Sequence, residues 1–214
     1  VSSGWVRMWV MTERAVSPAS GRRTTSIAHL SHVGLQLFFE RGFDETTVDD
    51  IAAAAGIGRR TFFRYFPSKN DLPWGEFEVL VDEMRERLAN VPAEMPIFQA
   101  LHDAILEFNR YPDDELGYHR ERMQLLLNVP TLVAHSTLRY ASWRAVIAEF
   151  VANRLGLDPL DLRPQEIAWI YLAVSLASYE QWLRDHDSDL VDVLDRALAD
   201  LPVLFGGRPG GYSE

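Results

Sequence analysis

From Ile27 to Phe66 the apolar residues recur at three- and four-residue steps, interrupted by glycine and proline so often that only short helices fit. Ile27, Leu30, Gly34, Leu37 and Phe38 share one helical face, and Gly42 can end that helix in the left-handed conformation. Thr47 ahead of Val48-Asp49-Asp50 is a helix-start pattern, and Val48, Ile51, Ala52 and Ala55 follow it as a single apolar stripe. Gly56 breaks this second helix, a third restarts near Gly58, and Pro67 stops it after Phe66. Two short helices joined by a glycine-containing turn form a helix-turn-helix pattern. No convincing alternation of β type occurs, so the expected fold class is all-α. It comprises an N-terminal three-helix, helix-turn-helix domain and a C-terminal helical bundle.

The third helix divides by face. Phe62 and Phe66, four residues apart, can pack against Ile51 and Ile57, which leaves Arg60 and Arg64 together on the opposite side. Arg59, Thr61, Phe63 and Tyr65 flank them. Arginine can donate two hydrogen bonds to guanine or pair with phosphate, and Thr or Tyr hydroxyls reach the DNA backbone. Such a helix suits the major groove. An arginine-rich face that merely meets solvent is the competing reading.

The run Phe43-Asp-Glu-Thr-Thr-Val-Asp-Asp-Ile-Ala-Ala-Ala-Ala-Gly-Ile-Gly-Arg-Arg-Thr-Phe-Phe-Arg-Tyr-Phe-Pro-Ser-Lys69 resembles the DNA-binding signature of TetR-family transcriptional regulators. Gly42-Phe43, Thr46-Thr47, Ile51-Ala52, Ala55-Gly56, Phe66 and Ser68-Lys69 fall where that pattern places them. The resemblance covers residues 26–72. It implies DNA contacts, mostly to phosphate, from Thr47, Thr61, Phe63, Tyr65 and Lys69. Three positions depart from the family pattern. Gly58 replaces the usual Ser, Arg60 a small residue and Phe63 a frequent Tyr. The missing phenol removes one phosphate bond, and Arg60 offers a new donor. With the arginine run, the expected DNA-binding set is Thr47, Arg59, Arg60, Thr61, Phe63, Arg64, Tyr65 and Lys69. The arginines and the following Ser68-Lys-Asn-Asp-Leu-Pro-Trp-Gly-Glu-Phe77 also resemble the regulators linked to mycofactocin biosynthesis. That narrower resemblance implies repression of a redox-cofactor gene cluster, with a long-chain acyl-CoA as inducer.

The whole-chain charge of −10 argues against a protein that coats nucleic acid. Its distribution says more. Through residue 70 there are nine basic and six acidic side chains, a balance of +3, whereas the remainder has twelve against twenty-five, or −13. A DNA-facing end on an acidic body is the reading, because phosphate neutralisation supplies most non-specific affinity. The expected organisation is an arm at 1–23, a DNA-binding domain at 24–70, a ligand-binding and dimerisation domain at 71–205 and a tail at 206–214. Helices are expected at 76–90, 97–111, 115–128, 131–155, 164–185 and 189–201, with Pro73 distorting the helical turns before them.

Aromatic and methionine residues crowd the middle helices. The candidate ligand-binding residues are Phe108, Tyr118, His119, Arg122, Met123, Tyr140 and Trp143, with simple core packing as the alternative for each apolar one. Ile170, Val174, Ser178 and Trp182 step along one late helix, and Leu194 and Leu198 along the last. The resemblance implies that these two helices form a four-helix interface in a homodimer, with packing inside one chain as the alternative. The chain has no cysteine, so no disulfide or thiolate chemistry is available. Arg7 interrupts the short apolar start, so no secretory leader or membrane anchor is expected, and the expected location is cytoplasmic. The six histidines are scattered, and neither a metal nor a nucleophile motif occurs. No cofactor is expected. The leading function is a ligand-responsive repressor on a palindromic DNA operator. The alternative is an all-α lipid or acyl-CoA carrier, or an enzyme without a DNA-binding role.

Overall fold

The computed structural model describes residues 26–205, and every regular element among them is helical. The expected arm at 1–23 and tail at 206–214 lie outside the described residues. Helix α1 spans Ile27–Arg41 and begins where the Ser26 hydroxyl accepts the His29 N–H at 3.1 Å. Gly42 ends it at φ 90° and ψ 150°, so the glycine is needed for its positive φ, although the left-handed helical cap is not adopted. Helix α2, Val48–Ala54, starts with a reciprocal cap. Thr47 accepts the Asp50 N–H at 3.1 Å, while Asp50 accepts the Thr47 N–H at 2.9 Å. Helix α3 spans Arg59–Tyr65.

Lys69–Trp74 form a 3-10 helix containing Pro73, the distortion expected at that proline. It joins the helix-turn-helix to the body through packing on both sides. On one side the Ser31 hydroxyl donates to the Leu72 carbonyl at 3.1 Å, and Gly34 faces the Leu72 side chain. On the other side Asp71 accepts from Arg139 at 2.9 Å and pairs with His135 at 3.0 Å. Burial alone would raise the Asp71 pKa. Hydrogen bonds from Ser68, His135 and Arg139 outweigh it and hold the carboxyl below its ordinary range.

The body contains α4 (Phe77–Ala89), α5 (Ile97–Phe108), α6 (Leu116–Asn128), α7 (Pro130–Leu155), α8 (Leu162–Arg184) and α9 (Leu190–Phe205). Two elements differ from expectation. Helix α5 stops at Phe108 because the Asn109 side chain turns back to donate to the Ile105 carbonyl at 2.7 Å. Helix α9 continues to Phe205 through Pro202, close enough to the end that losing one N–H donor does not break it.

One apolar core crosses the expected division at residues 70 and 71. Leu30, Phe38, Ile51, Phe62 and Phe66 belong to the same cluster as Leu72, Trp74, Met123, Leu126, Leu132, Tyr179, Trp182 and Leu194. A second cluster fills the far end with Met84, Leu101, Ile105, Trp143, Ile147, Val151, Leu172 and Leu198. Gly34 is where the first cluster tolerates least. A methyl group there would lie 2.4 Å from Leu72 Cδ1. Gly34→Ala is therefore expected to cost about 1–3 kcal/mol by overpacking, read as a lower denaturation midpoint with an unchanged far-ultraviolet spectrum.

Candidate DNA interface and sensing interior

The opposition of faces on α3 is realised. Phe62 is fully buried and Phe66 and Ile51 lie in the same cluster, while Arg59, Arg60, Phe63 and Arg64 are exposed. Arg60, Thr61, Phe63 and Arg64 line an open concavity of about 560 Å³ on the outer face of the helix-turn-helix. The flanking arginines are already oriented. Arg59 pairs with Asp49 of α2 at 2.9 Å and lies 5.4 Å from the Phe63 ring centroid. Arg64 lies 5.0 Å from the Tyr65 ring centroid and donates to the Tyr65 hydroxyl at 3.3 Å. These contacts hold the guanidinium groups along one surface, which lowers the entropy lost on meeting phosphate or a base edge.

Thr47 and Lys69 sit differently. The exposed Thr47 hydroxyl belongs to the cap of α2. The Lys69 ammonium donates to the carbonyls of Phe43 at 2.7 Å and Thr46 at 3.0 Å, and it lies 4.4 Å from the Phe43 ring centroid. Lys69 therefore closes the turn between α1 and α2, a role its spacing in the sequence did not reveal. Lys69→Met is expected to lower stability by about 1–3 kcal/mol in denaturant titration, since it strands carbonyls served by a charged donor. A residue used only for phosphate would leave stability unchanged.

The expected ligand residues do not form one lining. Tyr118 is exposed and stacks on His32 of α1, with ring centroids 4.1 Å apart. Met123 is packed in the core shared with the helix-turn-helix. Phe108 contacts Trp143 at 6.3 Å and Phe77 at 5.9 Å, and Tyr140 contacts Trp74 at 5.7 Å, within an aromatic layer between α4, α5 and α7.

His119 and Arg122 belong to a separate polar interior. His119 is 3% exposed and its ring stacks on Tyr111 at 3.8 Å. Its Nε2 lies 2.9 Å from the Tyr179 hydroxyl, which in turn donates to Asn109 Oδ1. Burial, followed by the Arg122 charge, pushes the His119 pKa well below the ordinary histidine value. Burial likewise raises Tyr179 well above the usual phenol range, reinforced by Tyr111 and Tyr140 and opposed by Arg122. His119 Nδ1 and Arg122 Nε are both buried without a hydrogen-bond partner. Tyr111, Asn109 and Tyr179 were absent from the expected ligand set. The burial of His119, which brings them together, is a tertiary property with no local signature.

Nor do the six expected interface residues share a free surface. Trp182 is 2% exposed, Leu194 and Leu198 are fully buried, and the Ser178 hydroxyl donates to the Val174 carbonyl at 2.9 Å. Ser178, Trp182, Leu194 and Leu198 therefore pack within the single chain. The stripe that α8 leaves exposed is Glu166, Trp169, Ala173, Ala177 and Glu180. Ile170 and Val174 are half-buried beside it. Trp169 carries the Arg144 guanidinium 3.6 Å from its ring centroid.

An all-helical chain with a capped, arginine-faced helix-turn-helix on an acidic body is built as a DNA-binding regulator. The chain belongs to the TetR family of transcriptional regulators. Residues 30–72 match the family of bacterial regulatory proteins, tetR family, and residues 95–204 match the MftR C-terminal domain. A candidate mycofactocin biosynthesis transcriptional regulator, MftR, of Mycobacterium tuberculosis is 45% identical over 82% of this chain and 89% of its own length. The fold is shared with the fatty acid degradation regulator FadR from Bacillus halodurans, with a TM-score of 0.60 at 16% identity over 85% of this chain and 96% of that one. It is also shared with Thermus thermophilus FadR, a repressor solved in complex with lauroyl-CoA. There the TM-score is 0.54 at 22% identity, covering 86% of this chain and 100% of that one. Among the described residues, no helix is long and apolar enough to cross a membrane.

Proposed function

We propose that this regulator is a homodimeric repressor that binds a palindromic operator through α3 and is released by a small-molecule inducer. The observation that carries the reading is the exposed set Arg59, Arg60 and Arg64, two of them oriented by Asp49 and Tyr65, on a chain otherwise dominated by acid. Two such helices related by a twofold axis would meet successive major grooves, and the operator would carry the same symmetry. The exposed small residues of α8, Ala173 and Ala177, beside Trp169 are the surface we assign to the second subunit. Mycofactocin biosynthesis genes are the proposed targets, on the strength of the similarity to the Mycobacterium tuberculosis protein. A long-chain acyl-CoA is the proposed inducer class, supported by the lauroyl-CoA bound to a FadR of the same fold. The inducer shifts the population by binding the DNA-incompetent arrangement more tightly.

Footprinting over the DNA around the gene and its neighbours tests this. A protected palindrome whose affinity falls steeply with salt, and falls again with added lauroyl-CoA, is expected. The absence of any protected palindrome would overturn the reading. The carrier alternative instead gives lauroyl-CoA binding with no operator.

A further inference from the structure

On the outer face of α3, Phe63 lines the concavity together with Arg60, Thr61 and Arg64, yet its side chain carries no hydrogen-bonding group. It is 43% exposed. Its ring meets the fully buried Phe62 edge-on, with centroids 5.5 Å apart and ring planes at 89°. The Arg59 guanidinium lies over the same ring, and Arg59 is itself held by Asp49 of α2. The ring is thus fixed by two neighbours before any partner arrives, which reduces the entropy lost on binding. Space for a partner is present, since the concavity is open and holds about 560 Å³. Thr61 reaches the same space but is half-buried, so the ring is the larger apolar surface offered there.

A helix laid in the major groove presents such a face to base edges and, at its margins, to phosphates. The long charged arms of Arg60 and Arg64 suit either target. A phenyl ring does not. Against phosphate it would strip water from a charged oxygen and return no hydrogen bond. Guanine shows N7 and O6 in this groove, adenine N7 and its N6 amine, and cytosine its N4 amine. Set against any of these, the ring would leave a donor or an acceptor unpaired. Thymine differs, because it adds an apolar group, the C5-methyl. We infer that Phe63 is a base-reading residue, whose ring packs on a thymine C5-methyl in each half of the operator. The inference rests on the operator binding proposed above and specifies one base of the half-site, read by shape and apolar contact between two charged neighbours.

Fluorescence anisotropy with the duplex protected in footprinting, its thymidines replaced one at a time by deoxyuridine, tests this on the unaltered full chain. Deoxyuridine pairs as thymidine does and lacks only the methyl. One position in each half-site should lose affinity by about fourfold, the value of one buried methyl-sized group, and substitution in both halves by about sixteenfold. The salt dependence should stay the same, because a methyl contact releases no counterion. Phe63→Ala is the discriminating variant. It should bind the thymidine and deoxyuridine duplexes equally at that position, with the helical spectrum and the salt slope of the parent. Sensitivity to none of the thymidines would overturn the inference. So would a sensitivity that survives in Phe63→Ala, which gives the methyl to another residue, or a shallower salt slope in that variant, which gives Phe63 a phosphate role. The two failures are distinguishable. A bound operator without methyl sensitivity removes only the role of Phe63, whereas the absence of any protected duplex removes the regulator reading with it.

Discussion

Replacing Arg60 and Arg64 together by alanine should weaken operator binding by about 2–6 kcal/mol, with thermal stability unchanged. Both side chains are exposed, and both line the concavity on the outer face of α3. Neither forms an ion pair with a carboxylate among the described residues, so the protein loses no such pair in the exchange. Each arginine that makes a bidentate base contact contributes about 1–3 kcal/mol of affinity and discrimination, whereas a phosphate contact contributes nearly uniformly across sequences. The two cases separate in one measurement. Fluorescence anisotropy with the operator and with scrambled DNA, repeated across salt, shows either lost discrimination or a reduced salt slope. Retention of full affinity by the double variant would remove α3 from the interface.

The second large effect is expected at Asp71. This carboxylate is nearly buried and joins the segment carrying the DNA-binding unit to α7 through His135 and Arg139, while Arg139 also reaches Glu78 at 2.6 Å. Asp71→Ala leaves Arg139 and His135 facing a void. Because Arg139 keeps Glu78, the loss is expected at about 1–3 kcal/mol, most of it from the charge-assisted hydrogen bonds that Asp71 accepted. The pH dependence follows from the lowered pKa. Because the folded state holds Asp71 below its ordinary value of 3.8, the stabilisation is fully present above that value. It is lost as pH falls through the lower, folded-state pKa. Acid unfolding of the parent should therefore contain a component that Asp71→Asn lacks, and the two stability curves should converge at the acid end. Parallel curves down to full protonation would show that the carboxylate is not held in this way.

The helix-turn-helix was legible because its instructions are local. Thr47 and Asp50 cap one another across three residues, Phe62 and Phe66 repeat at one turn, and Pro67 ends the segment. The arginine face of α3 follows from the same periodicity. The turn-closing role of Lys69 was not legible because the carbonyls it serves lie more than twenty residues earlier in the chain, and only the fold brings them to its ammonium. The late helices show the same limit. An apolar stripe such as Leu190, Leu194 and Leu198 records that a face is covered, not whether the cover comes from this chain or another, and here α8 and the body provide it. Within the polar interior, His119 and Arg122 were visible as polar residues in an aromatic stretch. Asn109 and Tyr179, which continue the hydrogen-bonded chain from His119, are separated from each other by 70 residues.

The apolar core that runs from α1 into α6, α8 and α9 bears on portability. Leu30, Leu72 and Trp74 are completed by residues contributed from the body, so a fragment cut after Trp74 would retain its caps and turns but leave one wall of its interior facing water. Such a piece cannot be exchanged between regulators as a freestanding cassette. A graft that moves this reader onto another sensor must carry α6 and the opening turn of α7 with it, or redesign the receiving surface to match Leu72 and Trp74.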